Sequence, residues 1–72
     1  MSVSTEYVVT GMTCEHCVRA VTDEVSGIAG VDDVTVDLAT GRLRVVSEEV
    51  VPFPAVEAAV DEAGYTVTGV AT

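Results

Sequence analysis

The strongest constraint in these 72 residues is how the spacing of apolar side chains changes along the chain. From Val3 to Thr10 it alternates: Thr5, Tyr7 and Val9 share one face, Ser4, Glu6 and Thr10 the other, and Val8 breaks the polar side. From Cys17 onward the spacing becomes three or four, through Val18, Val21, Val25 and Ile28. Period two belongs to a pleated strand and period 3.6 to a helix, so these runs predict a strand over Val3–Thr10 and a helix over Glu15–Ser26. Thr13 is placed to cap that helix and Gly27 to end it. Asp23 and Glu24 fall near its C-terminus, where the helix dipole disfavours acids.

Alternation returns over Asp33–Leu38, with Val34, Val36 and Leu38 opposed to Thr35 and Asp37. It continues over Arg42–Ser47 with Leu43 and Val45 inward, and Ala39-Thr40-Gly41 between the two runs reads as a hairpin turn. Proline suits a helix start but not its interior. A second helix therefore begins near Phe53 or Pro54, buries Phe53, Val56, Ala59, Val60 and Ala63, and stops at Gly64. Tyr65–Val70 forms the last strand. The resulting order, βαββαβ, satisfies the layering and crossover rules as an α+β, ferredoxin-like sandwich: a four-stranded antiparallel sheet with both helices on one face. A chain of this length makes one domain, residues 1–72, with a thin core. In that topology the loop after the first strand and the Gly64-Tyr65 turn lie at the same end of the sheet.

Charge narrows the partners. Twelve acids face three arginines (Arg19, Arg42, Arg44) with no lysine, for a net charge of -9. Nucleic acid and anionic membrane both require a basic footprint, so neither is expected. The excess acid reads either as a solvated surface or as a field for a basic partner. Nor does any apolar run approach the ~20 residues of a membrane span, and the N-terminal residues lack the basic and apolar regions of an export signal. A cytoplasmic location is expected.

Both cysteines lie in one stretch, Gly11-Met12-Thr13-Cys14-Glu15-His16-Cys17, where the first strand gives way to the first helix. In a reducing compartment such a pair is more often metal-binding or redox-active than a structural disulfide, and a bridge closing so small a loop would constrain the unfolded chain little. Unpaired N–H groups and the dipole at a helix start favour the thiolate. Two neighbouring thiolates on an open loop form a soft ligand pair suited to Cu(I). A structural zinc site closes with four ligands, and zinc here would need Glu15 or another chain beyond two cysteines and one histidine. Met12 reads as an apolar plug beside the helix start, with a thioether ligand as the alternative. His16 reads as an exposed residue facing away from the metal, because consecutive helical positions diverge.

The Gly11–Cys17 motif, the βαββαβ order and Gly64-Tyr65 together resemble the heavy-metal-associated domain, and within it the small bacterial copper chaperones and the related N-terminal modules of copper-transporting P-type ATPases. The likeness spans essentially the whole chain. It implies that Cys14 and Cys17 bind Cu(I) in near-linear geometry, with Met12 as a buried support and Thr13, His16 and Tyr65 around them. Tyr65 would shield or hydrogen-bond the site; its other reading is a strand residue with a wet hydroxyl. The resemblance implies a carrier without catalytic turnover, handing copper to a copper-transporting P-type ATPase, a copper-responsive regulator or another copper protein. His16 would tune thiolate basicity or join a metal-bridged homodimer. Family members that take mercury share the two-cysteine loop. Those that take zinc or cadmium usually place an acid before the first cysteine, where Thr13 stands, which favours copper.

Two further readings compete. A thiol-disulfide oxidoreductase also uses C-x-x-C at a helix start, but neither the residues flanking the cysteines nor the element order is of the thioredoxin kind. The initiating Met1 and an end at Thr72, just beyond the last strand, lead to the expectation of a free-standing chain, against an excised ATPase module. Many copper carriers flank the metal with lysines, whereas here only Arg19 lies near the loop. Docking to a partner of opposite polarity, or through apolar contact around Met12, is therefore expected.

Overall fold

In the computed structural model, which describes residues 2–71, the runs become β1 (Val3–Thr10), α1 (Glu15–Ser26), β2 (Val31–Asp37), β3 (Arg42–Ser47), α2 (Phe53–Glu62) and β4 (Thr66–Val70). Met1 and Thr72, on which the expectation of a free-standing chain rested, lie outside the described residues. The strands form one sheet in the order β2-β3-β1-β4, and every neighbouring pair is antiparallel. This is the expected ferredoxin-like arrangement.

Alternation decides which face is covered. Tyr7 and Val9 of β1 pair across the sheet with Leu43 of β3 and Val67 of β4, and they share one core with Val21 and Val25 of α1 and Val56 and Val60 of α2. Val21, Val25, Leu43, Val56 and Val60 are fully buried, each contributing about 1.5–3 kcal/mol relative to exposure. Against the core the rings of Tyr7 and Phe53 stand 6.0 Å apart, tilted by 44°. Burial pushes the Tyr7 hydroxyl's pKa up.

β2 departs from the expected Asp33–Leu38 at both ends. Val31 pairs with Ser47 and Asp33 with Val46, so Asp32 is an extra residue, a bulge. The bulge brings Val31 and Val34 onto the same face despite their odd spacing, and simple alternation therefore cannot detect Val31. At the other end Leu38, although in phase, lies 36 % exposed in the turn. There the Asp37 carboxylate accepts the Ala39 N–H at 3.0 Å and its carbonyl accepts the Gly41 N–H at 2.8 Å, which ends the strand. Gly41 has φ +72°, its carbonyl accepts the Val9 N–H at 2.8 Å, and a Cβ would sit 2.8 Å from the Val9 oxygen. The hairpin tip is thus braced against β1 just before the cysteine loop.

α1 ends at Gly27 as expected, but with φ -75°, still right-handed. The left-handed turn comes at Gly30.

Candidate metal centre

The loop after β1 turns at Gly11, whose φ is +95°. A Cβ there would meet Tyr65 Cδ1 at 3.2 Å, so the tyrosine ring lies against bare glycine backbone. Gly11 thus serves a ring contact as well as backbone freedom. Met12 is half-buried and packs on the hydrophobic core.

The cap of α1 differs from the expectation. Cys14, not Thr13, is the N-cap residue, in extended conformation (φ -156°, ψ 173°) and with no side-chain capping bond. Its carbonyl accepts the N–H groups of Cys17 at 3.1 Å and Val18 at 3.3 Å. Thr13 lies one residue too early, and its hydroxyl instead stands 4.0 Å from Cys17 Sγ. A thiol at the N-cap leaves first-turn donors unclaimed by any side-chain oxygen.

Two sulfurs stand at this helix start. Cys14 Sγ and Cys17 Sγ are 3.4 Å apart, unbonded, with Cys14 exposed and Cys17 only 8 % exposed. The Cys17 thiol is lowered to about 6, first by the backbone hydrogen bond of Thr13, then by the Tyr65 hydroxyl and the Cys14 side chain, with burial opposing. Tyr65 is pushed the other way, chiefly because its hydroxyl is the donor to Cys17 and so holds its proton more firmly.

Tyr65 is delivered by the end of α2. Gly64, at φ +94°, donates its N–H to the Asp61 carbonyl at 2.9 Å, and Tyr65 donates to the Val60 carbonyl at 3.1 Å. These paired bonds are a Schellman cap. They also explain why β4 starts at Thr66 rather than Tyr65: the tyrosine N–H is committed to the helix, and its side chain turns to the cysteines. Sequence reasoning missed this device, although a glycine followed by an aromatic at the end of a helix-period run is its signature.

The structure therefore gathers Thr13, Cys14, Cys17 and Tyr65, with Met12 packed on the core nearby. His16 is exposed on α1 and has no part in the hydrogen bonds of the loop. Among the described residues no group of three or more His, Cys, Asp and Glu side chains is assembled. What the chain offers is a pair of sulfurs. With metal–thiolate bonds of ~2.3 Å, a linear pair spans ~4.6 Å, so the sulfurs must part by roughly 1 Å to hold a metal linearly. Cys14 is the exposed sulfur of the pair.

Residues 6–66 match the heavy-metal-associated domain. The chain belongs to that family. The heavy-metal-associated domain is a metal-binding module, and the matched residues include the loop just described. The chain is 45 % identical over 64 residues to copper-transporting ATPase 1 of Rhizobium meliloti, covering 86 % of this chain but 8 % of the ATPase. It thus spans under a tenth of that relative. To the copper chaperone CopZ of Bacillus subtilis it is 37 % identical over 60 residues, covering 82 % of this chain and 87 % of the chaperone. A solved CopZ metallochaperone superposes with a TM-score of 0.86 at 30 % identity, covering 92 % of this chain and all of the other. No helix among the described residues is long and apolar enough to cross a membrane.

Proposed function

We propose that this heavy-metal-associated domain is a cytoplasmic Cu(I) carrier whose ligands are the thiolates of Cys14 and Cys17. The observation that supports it most is the asymmetry of the sulfur pair. Cys17 is shielded, hydrogen-bonded and held as thiolate near neutral pH, whereas Cys14 stands exposed 3.4 Å away. A soft monovalent cation accepts two thiolates and leaves an open flank on the Cys14 side. An incoming thiolate from a partner can attack there, take the place of Cys14, and then displace Cys17, so the ion moves ligand by ligand and is never released free. The chain performs no catalytic turnover in this reading. A reducing compartment is required to keep both thiols available.

The recipient is a copper-transporting P-type ATPase, a copper-responsive regulator or another copper protein, and the names of the CopZ and ATPase relatives support that choice. A second reading, favoured by the 45 % identity to an ATPase, is that the domain is one metal-binding module of such a pump. Both roles use the same two sulfurs, and the size of the native protein in cell extract separates them.

Anaerobic Cu(I) titration against competing chelators tests the site, with Zn(II), Cd(II) and Hg(II) titrated alongside. The wild type is expected to take one Cu(I) per chain tightly. Cys14→Ser and Cys17→Ser should each lose that binding, and tight copper binding that survives loss of both thiols would refute the ligands. Asn in place of His16 should leave Cu(I) affinity unchanged while reporting whether His16 takes part in a metal-bridged homodimer.

A further inference from the structure

The two edges of the sheet are chemically unlike. On β2, Asp32, Asp33 and Asp37 are exposed and the strand bulges at Asp32, features that discourage another strand from adding. The opposite edge is β4, Thr66-Val67-Thr68-Gly69-Val70, which carries no charge and pairs only with β1. An irregularity at Thr68, whose hydroxyl donates to the Val8 carbonyl at 3.3 Å, divides the edge into a Thr66–Val67 part and a Gly69–Val70 part. Beside the first part lies an open groove of about 430 Å³ between α2 and β4. Pro54, Ala58 and Val67 supply its apolar lining, Glu57 and Asp61 its acids, and Tyr65 adjoins them.

We propose that this groove and the adjoining β4 edge dock a short extended segment of a partner protein bearing Lys or Arg at alternate positions. The segment adds backbone hydrogen bonds to the uncharged edge, as strand addition does elsewhere. Its basic side chains meet Glu57 and Asp61. Four residues apart on α2, these two stand ~5–6 Å from one another, close to the ~6.7 Å between alternate residues of an extended strand. None of the chain's three arginines lines the groove. Arg42 lies 3.9 Å from Glu6, and Arg44 donates to Ser4 at 2.9 Å, both on the other face of the sheet. A second copy of the chain is a poor occupant, because it would set Glu57 and Asp61 against their own equivalents and one net charge of -9 against another. Tyr65 lines the groove and its hydroxyl serves Cys17, so this one side chain links the docked segment to the shielded sulfur. The proposal does not depend on which metal the sulfurs bind, or on their binding one.

Amide chemical shifts of reduced, metal-free protein, titrated with an acetylated octapeptide of alternating Thr and Lys, test it. Shifts should move at Tyr65–Val67 and along Glu57–Asp61, and the same peptide with Glu for Lys should produce none. Glu57→Gln with Asp61→Asn should weaken binding about tenfold, the loss of two exposed ion pairs. Asp32→Asn with Asp33→Asn removes the same charge from the guarded edge and should change it by less than about twofold. All four positions are exposed, and unchanged melting of both variants verifies the fold. Equal weakening in the two double variants, shifts confined to the open sheet face, self-association through β4 without peptide, or no response to the Lys peptide would each overturn the proposal.

Discussion

The two helices of this domain start in opposite ways. α1 opens on Cys14 and α2 on Pro52, and neither start has a side-chain capping bond. At α2, Pro54 occupies the first turn and removes a donor there. No acid stands in that turn, and the start packs Phe53 toward Tyr7. At α1 the first-turn donors are intact, and backbone, tyrosine hydroxyl and neighbouring thiol all converge on one sulfur. A helix start left without its own oxygen cap has unclaimed donors for something else. Here the backbone of Thr13 and Cys14, just ahead of the first turn, serves the Cys17 thiolate, and the second helix contributes from its far end by placing Tyr65.

The difference can be broken most severely at the sulfurs themselves. Replacing both cysteines by serine should cost more than the ~10–100-fold that loss of a supporting residue costs a metal site, while the circular dichroism stays that of the wild type. α2's contribution can be removed separately. Gly64→Val forces a branched residue to φ +94°, which should destabilise the domain by about 1–3 kcal/mol in urea unfolding and disturb Tyr65 at the same time. Tyr65→Phe keeps the ring on Gly11 and deletes only the hydroxyl. Copper affinity should fall about tenfold, and Cys17 should ionise at higher pH than in the wild type, seen in thiolate ultraviolet absorbance.

The remaining predictions are smaller. Cys17's folded pKa lies below its unfolded value of ~8.5, so its thiolate adds stability above that value, and this is lost as pH falls through about 6. Reduced wild type should therefore lose stability relative to Cys17→Ser between pH 8.5 and 5.5, as read from paired urea melts. Thr13→Ala removes a hydroxyl 4.0 Å from the sulfur, a contact too long to be strong. It should change copper affinity by less than about threefold, since the backbone bond of Thr13 survives.

Much of this molecule was legible because valine periodicity and glycine punctuation point the same way. β1, α1 and β3 have the boundaries their spacing implies, and the C-x-x-C position at the strand–helix junction led directly to the sulfurs. What escaped the sequence was set by backbone hydrogen bonding. The bulge at Asp32 puts Val31 in phase by inserting a residue, and Leu38 keeps phase but is cut off by the Asp37 turn. Thr13 has the composition of a cap, yet the chain starts its helix one residue later. Tyr65 belongs by pattern to the last strand, and only the Gly64 cap assigns its N–H to the helix and its hydroxyl to Cys17.

The central claim is that two sulfurs from this loop, and no other atoms of the chain, hold Cu(I). Copper-edge X-ray absorption on the one-to-one complex tests it most directly. The account predicts a nearest shell of two sulfur neighbours. A shell containing nitrogen from His16, or oxygen from Glu15 or Tyr65, would contradict it.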